Sequence, residues 1–142
     1  MTFRTQRVLP HPPEHVFEAF ADSARLARWW GPAGFTNTFR ICEFEPEGTW
    51  SYTMHGPDGR DFANESVFRE IEPSRKIVIH HLSKPRYLLT VRLEPAEDHS
   101  TIVRWEQEFE NPKVAAAIRH IVEPANEQNL DRLAEVLRAK GS

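Results

Sequence analysis

Between residues 35 and 109 side-chain character alternates with a period of two, and no other stretch limits the fold so tightly. That period puts successive side chains on opposite faces of an extended strand. Strands are expected at 36–44, 48–55, 62–72, 75–82, 87–94 and 100–109. The separators are Glu47-Gly48, Gly56-Pro57-Asp58-Gly59, Pro73-Ser74, Lys84-Pro85 and Pro95-Ala96-Glu97-Asp98, all turn-forming types.

The flanks read differently. Phe3 to Leu9 is a first strand, stopped by Pro10-His11-Pro12-Pro13. Val16, Phe17, Phe20 and Ala21 then fall at helical spacing, with proline tolerated in the first turn. Asp22-Ser23 caps a second short helix, ended by Gly31-Pro32. After Asn111-Pro112 a short helix at 112–121 and a longer one from Pro124 are expected, the latter carrying Leu130, Leu133 and Leu137 as one stripe. Strands grouped apart from helices define an α+β class with an antiparallel sheet and helices on one face. Seven strands are too many to stay flat, so the sheet should curve around the terminal helix.

Alternation sorts the rings. Trp50, Tyr52 and Met54 share a face, as do Tyr87, Leu89, Val91 and Leu93, and Val103, Trp105, Gln107 and Phe109. In 62–72, Phe62, Asn64, Ser66, Phe68 and Glu70 lie opposite Val67 and Ile71, and a bulge would reset that register. The 9 Phe, 4 Trp and 2 Tyr sit in a chain whose mean hydropathy is −0.57. A polar chain this rich in rings has either a core of large side chains or a hollow lined with them. Polar Gln107 on the aromatic face and Asn126 beside the leucine stripe point to a hollow with polar anchors. At Trp29-Trp30, beside a Gly-Pro break, one indole can enter the core while the other gates an opening.

Other classes are poorly served. Lys and Arg total 18 against 21 Asp and Glu, a net charge of −3, which offers no footprint for nucleic acid or an anionic membrane. The single cysteine, Cys42, excludes an internal disulfide and points to a reducing compartment, with cytoplasmic localisation expected. No signal-like or membrane-spanning apolar run is present. One domain over residues 1–142 is expected from the length. No nucleophile elbow, phosphate loop or dinucleotide fingerprint occurs, so neither catalytic residues nor a cofactor are assigned. No metal site is expected: Pro12-Pro13 interrupts the His11–His15 spacing, and the neighbours His80 and His81 face opposite sides of a strand.

Longer runs carry a resemblance. Pro12-Pro13-Glu14-His15-Val16-Phe17-Glu18-Ala19-Phe20 and Leu26-Ala27-Arg28-Trp29-Trp30-Gly31-Pro32 open the pattern. Glu47-Gly48-Thr49-Trp50, Met54-His55-Gly56-Pro57-Asp58-Gly59, Phe68-Arg69-Glu70-Ile71-Glu72-Pro73-Ser74-Arg75-Lys76-Ile77 and Gln128-Asn129-Leu130-Asp131-Arg132-Leu133 complete it. The chain thereby resembles bacterial proteins similar to the C-terminal domain of the heat-shock protein 90 ATPase activator, within the SRPBCC superfamily. The resemblance implies a START-like, birch-pollen-allergen-like helix-grip fold: a curved seven-stranded antiparallel sheet around a long C-terminal helix, with two short helices after the first strand. One departure is Glu47-Gly48, where the family often has Gly-Gly before the tryptophan. The superfamily includes lipid carriers, cyclases and aromatases, receptors and co-chaperone domains, and a fold does not choose among them.

The expected function is binding of a small hydrophobic or amphipathic ligand, lipids included, between sheet and terminal helix. Its expected lining is Trp29, Trp30, Phe35, Trp50, Tyr52, Met54, Phe62, Phe68, His81, Leu89, Val91, Trp105, Gln107, Phe109, Asn126 and Leu130. Two alternatives stand beside it. A cyclase- or aromatase-type enzyme would need a deep polar pair, such as a histidine and a carboxylate, inside the same cavity. A stress-response module for a chaperone, or for a second copy of the chain as a homodimer, would need an exposed apolar patch.

Overall fold

The computed structural model describes residues 1–141. Strand β1 (Thr2–Leu9) is followed by helices α1 (Pro13–Ala21) and α2 (Ser23–Trp29). Six strands follow in a row: β2 (Thr36–Cys42), β3 (Gly48–His55), β4 (Asp61–Glu72), β5 (Lys76–His81), β6 (Tyr87–Ala96) and β7 (Ser100–Phe109). A terminal helix, α3 (Pro112–Gly141), ends the described chain. The strands form one sheet in the order β1-β7-β6-β5-β4-β3-β2, every neighbouring pair antiparallel. The sheet curves about α3, giving the expected α+β helix-grip architecture.

Local chemistry sets the boundaries. Pro13 sits in the first turn of α1, where its missing N–H has no helical partner to lose. Asp22 Oδ1 caps α2, accepting from the N–H groups of Ala24 (3.1 Å) and Arg25 (3.4 Å). Asn111 Oδ1 caps α3 through Lys113 N at 2.9 Å and Val114 N at 3.3 Å. Before β3, Glu47 adopts φ 67°, the left-handed region that favours glycine, which accounts for a Gly-Gly preference at this turn. Here the glutamate carboxylate is tied down by Arg69 at 2.8 Å. Gly48 cannot be replaced without moving backbone, because an added Cβ would lie 1.9 Å from Glu43 O.

The pairing of β4 with β5 skips one residue between Phe68 and Glu70. This bulge resets the face, so Phe68 is buried and Ile71, opposite to it by strict alternation, also packs against the core. The C-terminal helix corrects one expectation. A short helix followed by a second one is not formed; α3 runs unbroken through Pro124. Proline removes one backbone hydrogen bond and crowds the carbonyl four residues earlier. Both Pro124 and His120 are on the exposed side, where water can satisfy that carbonyl. Glu123, next to Pro124, pairs with Arg119 at 3.1 Å on the surface.

Leu130, Leu133 and Leu137 of α3 enter the main core with Phe20, Leu26, Trp29, Trp30, Trp50, Phe68 and Trp105. The start of α3 covers a smaller cluster of Phe3, Phe109 and Ala115, with Tyr87, Ile118 and Val122 packed against it. Between these two anchor points α3 stands off from the sheet. No helix among the described residues is long and apolar enough to cross a membrane.

Candidate functional site

Where α3 stands off, a cleft of about 640 Å³ opens between the inner face of the sheet and the helix. Its walls come from four places. The segment after α2 supplies Trp30, Gly31, Pro32 and Phe35, and β3 supplies Tyr52 and Met54. Strands β4 to β7 and the β5–β6 loop supply Asp61, Phe62, Ala63, Asn64, His81, Lys84, Pro85, Tyr87 and Gln107. From α3 come Ile121, Val122, Ala125, Asn126 and Asn129, positions three or four apart on one helical face. Small Ala125 at the middle of that face is one reason the space is not filled by side chains.

The Trp30 wall is rigid. Its indole N–H donates to Tyr52 Oη at 3.1 Å, and its ring meets Trp29 (5.6 Å) and Trp50 (4.9 Å) edge-on. Its backbone carbonyl accepts from Asn37 Nδ2 at 2.9 Å and Arg132 Nη1 at 3.0 Å. Burial holds the Tyr52 hydroxyl well above the usual phenol range, so it stays protonated.

Opposite lies a polar group. His81 Nδ1 lies 3.0 Å from Pro85 O and its Nε2 2.6 Å from Asn64 Oδ1 and 3.2 Å from Ser83 Oγ; a neutral ring, with one N–H, donates to only one of the two carbonyl oxygens. Asn64 is oriented in turn by donation from Nδ2 to Phe62 O at 2.9 Å. The imidazole stacks on the Tyr87 ring, with centroids 4.5 Å apart and planes 12° from parallel. Burial lowers the His81 pKa, favouring the neutral ring, and raises that of Tyr87. Across the cleft Asn126 Nδ2 donates to Gln107 Oε1 at 3.0 Å, joining α3 to β7. Asn129 Nδ2 donates to Trp29 O at 2.9 Å.

At the rim, Asp61 Oδ1 accepts from His55 Nδ1 at 2.7 Å, and His55 Nε2 meets Thr38 Oγ1 at 2.7 Å. The hydrogen-bond partners of His81 are thus an amide, a backbone carbonyl and a hydroxyl; the carboxylate lining the cleft is engaged elsewhere. Among the described residues no three of His, Cys, Asp and Glu gather as a metal-ligand set. The arrangement can bury an apolar body and hydrogen-bond a polar end.

The family model for activator of Hsp90 ATPase homolog 1-like proteins matches residues 10–138. The chain belongs to this family. Solved structures agree on the fold. A protein of Nitrosomonas europaea superposes with a TM-score of 0.89 at 17% identity, over 99% of this chain and 96% of that one. A protein of Chromobacterium violaceum gives 0.83 at 24% identity over 96% of each. The AHSA1 protein of Silicibacter pomeroyi gives 0.78 at 19% identity over 99% of each. No curated protein matches the chain.

Within this family fold the expected lining residues divide. Trp30, Phe35, Tyr52, Met54, Phe62, His81, Gln107 and Asn126 are brought together around the cleft. Trp29, Trp50, Phe68, Leu89, Val91, Trp105 and Leu130 are packed into the main core instead. Of the Trp29-Trp30 pair, Trp29 is the core indole, donating to Ala19 O at 2.9 Å, and Trp30 is the cleft wall. Phe109 packs on Phe3, 5.8 Å between centroids, and borders a separate groove at the start of α3. The strand rings among these share the inner face, but the cleft is confined to the end of the sheet where α3 stands off. Sequence reasoning passed over Tyr87, which alternation already places on that face, and Asn129, one helical turn after Asn126. Lys84 and Pro85 reach the cleft from a loop, for which periodicity gives no signal.

Proposed function

We propose that the protein binds a small apolar or amphipathic molecule in the cleft between sheet and α3. One observation supports this above the others: about 640 Å³ between two packed anchor points is walled by rings together with oriented amides. That volume is within the range of small-molecule sites, which are concave, mostly apolar and fitted with a few fixed polar groups. Ligand apolar surface buried there would contribute roughly 25 cal/mol per Å² before ordering costs are subtracted.

The cyclase-type reading is less well supported, since His81 meets Asn64 rather than a carboxylate. A chaperone-associated role agrees with the family's description. The large exposed apolar residues among those described, however, are scattered: Met1 ahead of β1, Val8, Ile41 and Phe62 on three different strands, and Val114 and Ile121 seven residues apart on α3. The cleft is therefore the better-formed surface. The single cysteine supports a cytoplasmic setting.

The test uses the neutral fluorophore N-phenyl-1-naphthylamine with wild type and Ala125→Phe, which inserts a ring into the cleft from α3. Wild type should brighten the probe and quench tryptophan emission, and the variant should do neither while keeping its thermal transition. A wild-type protein that leaves the probe unchanged would rule the reading out.

A further inference from the structure

We infer that the cleft takes an amphipathic ligand carrying a carboxylate or similar anion at one end, with that end held at the β5–β6 loop by Lys84 and Tyr87. The inference rests on the ligand-binding reading and adds the charge and orientation of the ligand.

Several groups that line the cleft have hydrogen-bond capacity that no described residue uses. Lys84 lines the cleft and, among the described residues, its ammonium has neither an ion-pair nor a hydrogen-bond partner. The other charged lining group, Asp61, already has His55 at 2.7 Å. Arg86, next in the loop, is committed to Glu110 (3.1 Å) and Leu82 O (3.1 Å). The hydroxyl of Tyr87, at the start of β6, also lacks a partner among the described residues, although its ring is fixed against His81. Gln107 uses its Oε1 to receive Asn126, which leaves its N–H₂ group unspent. Leu89 pairs with Gln107 and Tyr87 with Phe109, so Tyr87 and Gln107 are near neighbours on one face of the sheet.

Three donor groups, one of them a cation, therefore border the cleft without a matching acceptor among the described residues. Lys84 is exposed where it borders the cleft, and an ammonium there favours an anion over a neutral group, charge-assisted bonds being the stronger kind. Burial keeps the Tyr87 hydroxyl protonated and so able to donate. The rings of Phe35 and Phe62, 6.2 Å apart, and the side chain of Ile121 offer the apolar surface for the rest of the molecule.

Three probes of equal chain length decide the matter: dodecanoate, dodecanol and dodecyltrimethylammonium, each below its micellar concentration. Binding is read from tryptophan quenching with wild type, Lys84→Gln and Tyr87→Phe. Wild type should favour dodecanoate over dodecanol by about three- to tenfold. The ratio should fall towards one in Lys84→Gln and decrease by a smaller factor in Tyr87→Phe. Equal affinities in wild type, tighter binding of the cation, or a preference that survives Lys84→Gln would overturn the inference while the ligand-binding reading stands. Failure of all three probes to bind would overturn both.

Discussion

Arg132 Nη1 donates to the backbone carbonyl of Trp30 at 3.0 Å, joining the middle of α3 to the wall of the cleft. The same nitrogen reaches Gly31 O (3.0 Å) and Pro32 O (2.9 Å), and Nη2 reaches Arg28 O (2.8 Å). Arg28 O lies in the last turn of α2 and the other three carbonyls follow it, where no N–H of the helix remains to bond them. The guanidinium is half-buried, and desolvation lowers its pKa without neutralising a group of this basicity. Arg132→Met should lower stability by about 2 kcal/mol, the scale of lost charge-assisted bonds. Lysine, with one compact ammonium in place of a planar fork, should recover less than half of that. Denaturant midpoints of the three proteins provide the measurement, and a change within ~0.5 kcal/mol for methionine would show the clasp to be energetically idle.

Two glycines allow backbone strain to be separated from crowding. Gly31 has φ 97° and Gly59 has φ 88°, conformations that penalise any Cβ. An added Cβ at Gly59 meets nothing within 4 Å, whereas at Gly31 it would lie 2.6 Å from Met54 Cε. Gly59→Ala should cost about 1 kcal/mol from conformation alone. Gly31→Ala should cost more, because Met54 must also turn within the cleft. Equal losses for the two variants in thermal or urea unfolding would mean that Met54 yields freely.

Cys42 supplies a check on the outer strand. Half-buried, its thiol is pushed up to about 11 from an ordinary 9.0 by desolvation. Only the thiolate attacks alkylating agents. At pH 8 iodoacetamide should therefore react with the native protein about a hundredfold more slowly than with the urea-unfolded chain. Matching rates would place Cys42 in water.

How much of this was legible follows from what periodicity encodes. Alternation located the strands and put Trp50, Tyr52, Leu89 and Trp105 on one face, because side-chain direction in a strand is a local property. It could not divide Trp50 from Tyr52, neighbours on that face, of which only Tyr52 borders the cleft. That division depends on where α3 touches the sheet, a tertiary relationship. The same limit explains Pro124. Its local signal is a helix start, and the continuous helix wins because the orphaned carbonyl faces water. Lys84 and Tyr87 were reachable by different routes: Tyr87 belongs to an alternating run, while the loop position of Lys84 is set by the β5–β6 connection.

His81 leads to a pH dependence whose sign can be worked out. Burial lowers its folded-state pKa below the ordinary 6.5, with the Pro85 carbonyl opposing and nearby His80 assisting. Above pH 6.5 the ring is neutral in both folded and unfolded chains, so the full stability is present. As pH falls below that value the unfolded chain takes up a proton that the native site resists, and stability is lost until the folded-state pKa is passed. His11, its pKa lowered by desolvation and by His15, contributes with the same sign, so the raw slope is shared. Comparison with His81→Gln isolates the buried ring. Between pH 7 and 5 the wild type should lose stability more steeply than the variant in urea titrations. Parallel curves would mean that His81 titrates alike in the folded and unfolded chain, and that the contacts with Pro85 and Asn64 offset its desolvation.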